Sequence, residues 1–144
     1  MAPKPHILYL CTGNSCRSQI AEGWTRELGG GQVEVSSAGI EAHGKNPRAI
    51  AVMAEAGVDI SQQESTIVTP WMLARATVVV TVCGHADEQC PVLPAGVDKR
   101  HWPLEDPARA SGDENEIMDT FRATREEVKN RVAALLQSLA EPGQ

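Results

Sequence analysis

Residues 11–18 carry the side chains of this sequence that are best suited to chemistry on an anion. They read Cys-Thr-Gly-Asn-Ser-Cys-Arg-Ser and follow an apolar run at residues 7–10. Cys11 offers a nucleophilic sulfur, and Arg17 can donate two parallel hydrogen bonds to two oxygens of one anion. A thiol beside an arginine and a helix N-terminus ionises more readily than a free cysteine. We therefore expect Cys11 to be a thiolate at neutral pH.

The loop between Cys11 and Arg17 is expected to bind a tetrahedral oxyanion through its backbone. A loop that joins a strand to a helix directs several peptide N–H groups and the positive helix end into one concavity. The predicted oxyanion-binding residues are Thr12, Gly13, Asn14, Ser15, Cys16 and Arg17. The loop is not a nucleotide-binding P-loop, because the Gly-Lys-Ser/Thr ending is missing.

Composition restricts the class of protein. The 144 residues, 42% of them hydrophobic, predict one domain that spans residues 1–144. A formal net charge of −6 argues against a nucleic-acid-binding surface. The sequence shows no long apolar segment, so we expect neither a secretory signal nor a membrane span, and we predict a cytoplasmic monomer. The four histidines lack ligand spacing, so they are expected at turns or on the surface, and no metal site is predicted.

The hydrophobic periodicity predicts alternating strands and helices. Strands are predicted at residues 7–10, 33–37, 77–82 and 99–104, and helices at residues 17–28, 47–56 and 113–139. Asn46 and Pro47 are typical of a helix N-cap and first helical position, and Gly57 of a helix end. This alternation predicts a doubly wound α/β fold, with a four-stranded parallel sheet flanked by helices.

Two further cysteines have positions that suggest redox chemistry. In a parallel sheet, Cys11 and Cys83 both follow strands at the same edge, so we expect them to be neighbours. Cys90 follows within a polar, Gly- and Pro-containing segment at residues 83–96, which is predicted to be a mobile loop. Zinc is disfavoured because the spacing lacks paired knuckles. A disulfide relay from Cys11 through Cys83 to Cys90 fits the spacing better.

The number of thiols favours arsenate over phosphate esters as the substrate. Hydrolysis of a phosphate ester transfers no electrons and leaves Cys83 and Cys90 without a role. Arsenate resembles phosphate in shape and charge, but its reduction to arsenite consumes the two electrons that two thiols release when they form a disulfide. In this interpretation Cys11 attacks arsenate, Cys83 attacks Cys11 and releases arsenite, and Cys90 attacks Cys83. An external reductant then reduces the Cys83–Cys90 disulfide.

Several motifs along the chain carry a family resemblance: residues 11–19, 21–24 and 37–41, His43-Gly44, Asn46-Pro47, Cys83 with Cys90, His101-Trp102 and Asp106-Pro107. With these motifs the sequence resembles the thioredoxin-coupled arsenate reductases, which are built on the low-molecular-weight tyrosine phosphatase fold. The resemblance implies arsenic detoxification without a cofactor, with thioredoxin as the electron donor. It also implies that Asp106 protonates the departing oxygen and that Ser18 hydrogen-bonds to the Cys11 thiolate. Cys16 is expected to be structural, and a Cys11–Cys16 disulfide is the alternative.

Some relatives bind potassium beside the loop through an asparagine, a glutamate, a serine and an aspartate. Asn14, Glu22 and Ser37 match these ligands, but Thr66 stands where the aspartate is expected. The loss of a carboxylate weakens a site for a hard cation, so activation by potassium is not expected.

Two other functions remain open from the sequence. A weak tyrosine or small-molecule phosphatase would use Cys11 alone, and it would be expected to hold a phenol ring with aromatic residues near the site. An oxyanion-responsive redox sensor would stop after one oxidation.

Overall fold

The computed structural model describes residues 4–84, 93 and 95–140, and its centre is a parallel β-sheet. The strands are β1 (His6–Cys11), β2 (Glu34–Gly39), β3 (Val78–Thr81) and β4 (Asp98–His101). Their order in the sheet is β2-β1-β3-β4, and all pairings are parallel. The predicted four-stranded parallel sheet is therefore confirmed. The last strand ends at His101, three residues earlier than predicted, although the N–H of Trp102 still bonds to the carbonyl of Thr81 at 2.8 Å.

Helices flank this sheet. They are α1 (Arg17–Gly29), α2 (Pro47–Glu55), α3 (Pro70–Arg75) and α4 (Glu114–Ala140), and short 3₁₀ turns lie at Gly30–Gln32 and Pro107–Arg109. The Asn46 side chain accepts from the N–H of Arg48 at 2.8 Å, which confirms the predicted cap of α2. Helix α3 was not predicted because it is too short to show periodicity. Thr69, which caps it through the N–H of Met72, was the available signal.

The core lies around β1 and β3, whose residues are all buried. Helix α4 packs against α1 and α2, and it buries Phe121, Val128, Val132 and Leu135. Among the described residues, no helix combines the length and apolar character that a membrane span needs.

The sheet register brings three chain segments to one edge. Cys11 pairs with Gly39, and the N–H of Val82 bonds to the carbonyl of Leu10 at 2.9 Å. Residues that directly follow β1, β2 and β3 therefore emerge side by side. This edge holds the sequence-predicted loop.

His6 is buried, although it was expected at a turn or on the surface. It is 7% exposed, because it is the first residue of a strand that has neighbours on both sides. Its Nε2 lies 2.8 Å from Ser36 Oγ, and its Nδ1 lies 3.4 Å from Glu34 Oε2. Burial lowers the pKa of His6 from its ordinary value.

Candidate active site

A second chain segment fixes the backbone of the loop after β1. We call residues 12–17 the anion loop and residues 40–46 the brace. Four brace N–H groups donate to carbonyls at the end of β1 and in the loop: Ile40 to Cys11 (3.1 Å), Glu41 to Thr12 (2.8 Å), His43 to Gly13 (2.8 Å) and Asn46 to Ser15 (3.0 Å). With these carbonyls held by the brace, the N–H groups of the loop are left for an anion. Helix α1 adds its N-terminus, where no side chain caps the helix.

Close packing between the brace and the anion loop requires glycine at two positions. A Cβ on Gly39 would lie 2.3 Å from the Glu41 carbonyl oxygen and 2.8 Å from the backbone of Thr12 and Asn14. A Cβ on Gly13 would lie 2.2 Å from Nδ1 of His43. Any larger residue at position 39 would displace the backbone of the brace from the loop, and a larger residue at position 13 would force the His43 side chain to move.

Asn14 has an unusual backbone conformation within the anion loop. Its φ of 50° makes it the only non-glycine residue with positive φ among those described. Its Nδ2 donates to Ser18 Oγ at 2.8 Å and to Ser37 Oγ at 3.0 Å, and its Oδ1 accepts from the N–H of Thr66 at 2.8 Å. All hydrogen-bonding atoms of this buried amide group are used, which holds the unusual conformation in place.

The nucleophile of the candidate site is buried beside a hydroxyl. The Sγ of Cys11 lies 3.0 Å from Oγ of Ser18. Because Ser18 Oγ already accepts from Asn14, its own proton is available to the sulfur. This contact is compatible with the role that the family resemblance implies for Ser18.

Arg17 reaches across the anion loop to the segment after β4. Its Nη1 donates to the carbonyl of Leu104 at 3.0 Å, and its Nη2 lies 3.7 Å from Oδ2 of Asp106. Its Nε is buried and has no hydrogen-bond partner among the described residues. A buried donor without a partner costs about 1–3 kcal/mol, and an oxyanion that accepts from Nε would recover that energy.

Cys16 and Asp106 contact each other on the same side of the site. The Cys16 Sγ lies 3.6 Å from Asp106 Oδ1, which also accepts from the N–H of Ala108 at 3.0 Å. Burial, together with the charges of Asp106 and Cys11, raises the pKa of Cys16 to about 12. Cys16 is therefore a neutral thiol at physiological pH and can donate to Asp106, while the Asp106 side chain stays partly accessible to a substrate.

Cys83 lies at the start of the chain segment after β3. It is 4% exposed, and its Sγ lies 3.2 Å from Oγ1 of Thr12, the residue next to Cys11. Cys11 and Cys83 line the same cleft, in agreement with the expectation from the parallel sheet. Cys90 and most of the predicted mobile loop at residues 83–96 lie outside the described residues.

The cleft above the anion loop has a volume of about 1390 Å³. Beyond the loop it is lined by the segment around Asp106 and by Thr120 and Thr124 of α4. No Phe, Tyr or Trp lines it within the part of the chain that the structure describes. In these described residues the cleft is lined mainly by polar side chains and offers no aromatic wall for a phenol ring.

Several residues that support this site were not predicted from the sequence. His43, assigned no role, lines the cleft, and its Nε2 lies 2.6 Å from Glu41 Oε1. Arg26 bonds to Glu22, and their spacing of four residues on α1 was a usable signal.

No group of three or more His, Cys, Asp or Glu residues that could hold a metal is found in residues 4–84, 93 and 95–140. The potassium-matching residues are already bonded to one another and to Arg26.

Comparisons with known proteins agree with this geometry. The family described as low molecular weight phosphotyrosine protein phosphatase matches residues 6–144. The arsenate reductase of Bacillus subtilis (strain 168) is 50% identical over 137 residues, which are 95% of this chain and 96% of that protein. A solved structure of an arsenate reductase in the phosphate binding state is 35% identical with a TM-score of 0.78, covering 94% of this chain and 99% of that chain. The thioredoxin-dependent arsenate reductase of Corynebacterium glutamicum is 30% identical with a TM-score of 0.77, covering 95% of this chain and 62% of that chain.

The chain therefore belongs to the low molecular weight phosphotyrosine protein phosphatase family. Within that family it groups with the arsenate reductases, one of which is 50% identical over 95% of this chain. The family and the fold that the sequence motifs suggested are both confirmed.

Proposed function

We propose that this protein reduces arsenate to arsenite with Cys11 as the nucleophile, Cys83 as the resolving thiol and Cys90 as the final thiol. The observation that carries the proposal is the second thiol in the cleft: Cys83 Sγ lies 3.2 Å from Thr12 Oγ1, one residue away from Cys11. A phosphatase has no use for that sulfur. The 50% identity to an arsenate reductase over most of the chain supports the same substrate.

In the first step arsenate binds in the anion loop, where backbone N–H groups and Arg17 hold its oxygens. The Cys11 thiolate, stabilised by the Ser18 hydroxyl, attacks the arsenic atom. A sulfur–arsenic bond forms, and one arsenic–oxygen bond breaks. Asp106 lies 3.7 Å from Arg17 and supplies the proton with which that oxygen leaves as water.

In the second step the Cys83 thiolate attacks Sγ of Cys11. A disulfide forms, the sulfur–arsenic bond breaks, and its electron pair stays on arsenic, which leaves as arsenite in the +3 state. The Cys90 thiolate then attacks Cys83, and Cys11 departs as a thiolate. Thioredoxin is the proposed reductant of the Cys83–Cys90 disulfide, supported by the thioredoxin-dependent relative, and such a cycle suits the reducing cytoplasm.

Mass spectrometry after one turnover tests the relay. The full-length reduced protein is mixed with arsenate without reductant, thiols are blocked, and peptides are mapped. We expect a Cys83–Cys90 disulfide in the wild type, a Cys11–Cys83 disulfide in Cys90→Ser, and no disulfide in Cys83→Ser. Cys16→Ser changes the fourth cysteine and keeps a hydroxyl donor beside Asp106, so the Cys83–Cys90 bond should still form, at a reduced rate. Arsenite release by Cys83→Ser at the wild-type rate would overturn the proposal.

A weak phosphatase activity is the second candidate, because Cys11 and Arg17 frame an anion loop in a phosphatase family. It predicts that Cys83→Ser and Cys90→Ser hydrolyse para-nitrophenyl phosphate as fast as the wild type. A redox sensor, the third possibility, would fail to consume arsenate repeatedly when reductant is in excess.

A further inference from the structure

Glu22 is a buried carboxylate whose two oxygens both have partners. The residue is 7% exposed. Its Oε2 accepts from Arg26 Nη2 at 2.6 Å, one helical turn further along α1. Its Oε1 accepts from Ser37 Oγ at 2.6 Å. A carboxylate at this depth needs a positive partner, and Arg26 supplies one.

A first chain of hydrogen bonds leads from Arg26 through Glu22 to the anion loop. Ser37, which donates to Glu22, accepts from Asn14 Nδ2 at 3.0 Å. The same nitrogen donates to Ser18 Oγ at 2.8 Å, and Ser18 lies 3.0 Å from the sulfur of Cys11. The guanidinium of Arg26 thus begins a continuous hydrogen-bonded series that ends at the nucleophile.

A second chain leaves the other terminal nitrogen of Arg26. Its Nη1 donates to Gln63 Oε1 at 2.9 Å, and Gln63 Nε2 donates to Gln19 Oε1 at 2.8 Å. Gln19 Nε2 donates to the carbonyl of Asn14 at 3.1 Å. Both chains converge on Asn14, the residue with a φ of 50°. A strained residue keeps its conformation only when its surroundings determine it, and here two routes do so from one guanidinium.

The potassium site that the family resemblance suggests does not fit these residues. A hard cation needs oxygen ligands, but the side-chain oxygen of Asn14 is occupied by the N–H of Thr66 at 2.8 Å. It is the NH₂ group of Asn14 that faces Ser37, and an NH₂ group repels a cation. The charge of Glu22 is already balanced by Arg26, and Thr66 offers no carboxylate.

We infer that Arg26 is a built-in cation that positions Asn14 and Ser18 and makes the anion loop independent of an alkali metal ion. Arg26 is a positioning residue, because it acts through Glu22 and Gln63 and does not touch the anion. The inference concerns the geometry of the loop, so it holds whichever reaction Cys11 performs. Its test needs neither Cys83 nor Cys90.

The test compares Arg26→Gln with Arg122→Gln in the full-length protein. Arg122 is the matched control, because it also pairs with a carboxylate about one turn earlier on its own helix, Asp119, at 2.8 Å, but it does not line the cleft. Binding of inorganic phosphate is measured by calorimetry in NaCl and in KCl at equal ionic strength. The rate of Cys11 alkylation by iodoacetamide is measured across pH as a second readout.

We expect the wild type and Arg122→Gln to bind phosphate with the same Kd in both salts. Arg26→Gln should bind phosphate about 10-fold more weakly in NaCl, the effect of losing one charge-assisted hydrogen bond. The midpoint of its Cys11 alkylation profile should move to higher pH, because Ser18 is no longer fixed. Arg26→Lys, which keeps the charge on Glu22, should recover part of the affinity.

Two results would overturn the inference. One is an unchanged phosphate Kd and alkylation profile in Arg26→Gln. The other is a wild-type phosphate Kd or melting temperature that depends on KCl over NaCl, a measurement that requires no variant to fold. Failure of the proposed arsenate relay would leave both readouts unaffected.

Discussion

The floor and the acid wall of the cleft are held in place in different ways. The floor, made of the anion loop with its brace, is fixed by short bonds, such as those from Asn14 to Ser18 (2.8 Å) and to Ser37 (3.0 Å). The wall, residues 102–110, contacts the floor through one 3.0 Å bond to Leu104 and through two longer contacts at Asp106, of 3.6 and 3.7 Å.

This difference separates two tasks. A floor that is rigid before an anion arrives spends no energy on rearrangement when it binds. A carboxyl group held by long contacts can adjust as the leaving oxygen departs. Substitutions in the floor should therefore affect anion binding, and substitutions in the wall should affect turnover.

The largest effect is expected for Arg17→Lys. Lysine keeps the charge but loses the planar fork that can hold two oxygens, together with the bond to Leu104. We expect kcat/KM for arsenate to fall about 10³-fold, with a parallel loss of phosphate affinity. Steady-state kinetics and calorimetry measure both, and a loss below about 10-fold would contradict the assignment of Arg17 to the floor.

Asp106→Asn tests the wall. The amide cannot supply a proton, so kcat for arsenate should fall about 10²-fold. Phosphate affinity should stay at the wild-type level, since Asp106 meets the floor only through long contacts. Weakened phosphate binding equal to the loss in kcat would erase the distinction between wall and floor.

Gly39→Ala tests the brace. The added Cβ would lie 2.3 Å from the Glu41 carbonyl oxygen, so the brace must move, at a cost of about 1–3 kcal/mol in the free energy of unfolding. Gly31→Ala is the control, because a Cβ there meets nothing within 4 Å. Urea denaturation and phosphate calorimetry should show loss of stability and affinity in Gly39→Ala only. Equal behaviour of the two variants would mean that the brace tolerates displacement.

The smallest effect is expected far from the cleft, at His6. Because burial lowers the pKa of His6, the unfolded chain takes up a proton that the folded chain resists. The free energy of unfolding should fall as pH drops from the unfolded pKa of about 6.5 through the lower folded pKa. Glu34 and Arg75 lie close to this histidine and carry charges of their own. The variant His6→Gln therefore isolates the contribution of His6 to the pH dependence of the free energy of unfolding. The free energy of unfolding, measured by urea denaturation, should depend less steeply on pH in His6→Gln than in the wild type. An identical slope would show that other titratable groups cause the pH dependence.

The sequence predicted the parts of this molecule that are contiguous along the chain. Strand β1 and the anion loop follow one another directly, so apolar periodicity and residue type were sufficient. The cap at Asn46 was likewise visible, because its partner Arg48 is two residues away. The position of Cys83 followed from topology, since parallel strands end at one edge.

The rest depends on contacts between distant residues, which composition and spacing do not encode. Gln63 reaches Gln19 across 44 residues, and Cys16 reaches Asp106 across 90. His6 looked like a surface residue because nothing local shows that β1 has a neighbour on each side. The role of Arg26 likewise depends on where β2 and the segment at residues 61–66 pack against α1.

The brace has a consequence for when the anion site forms during synthesis on the ribosome. The motif at residues 11–18 is translated before residues 40–46, whose N–H groups hold its carbonyls. A nascent chain, or a synthetic peptide that ends before residue 40, therefore contains the complete motif but lacks the shaped anion pocket. Cys11 therefore acquires its complete oxyanion site only after residues 40–46 have docked on the loop.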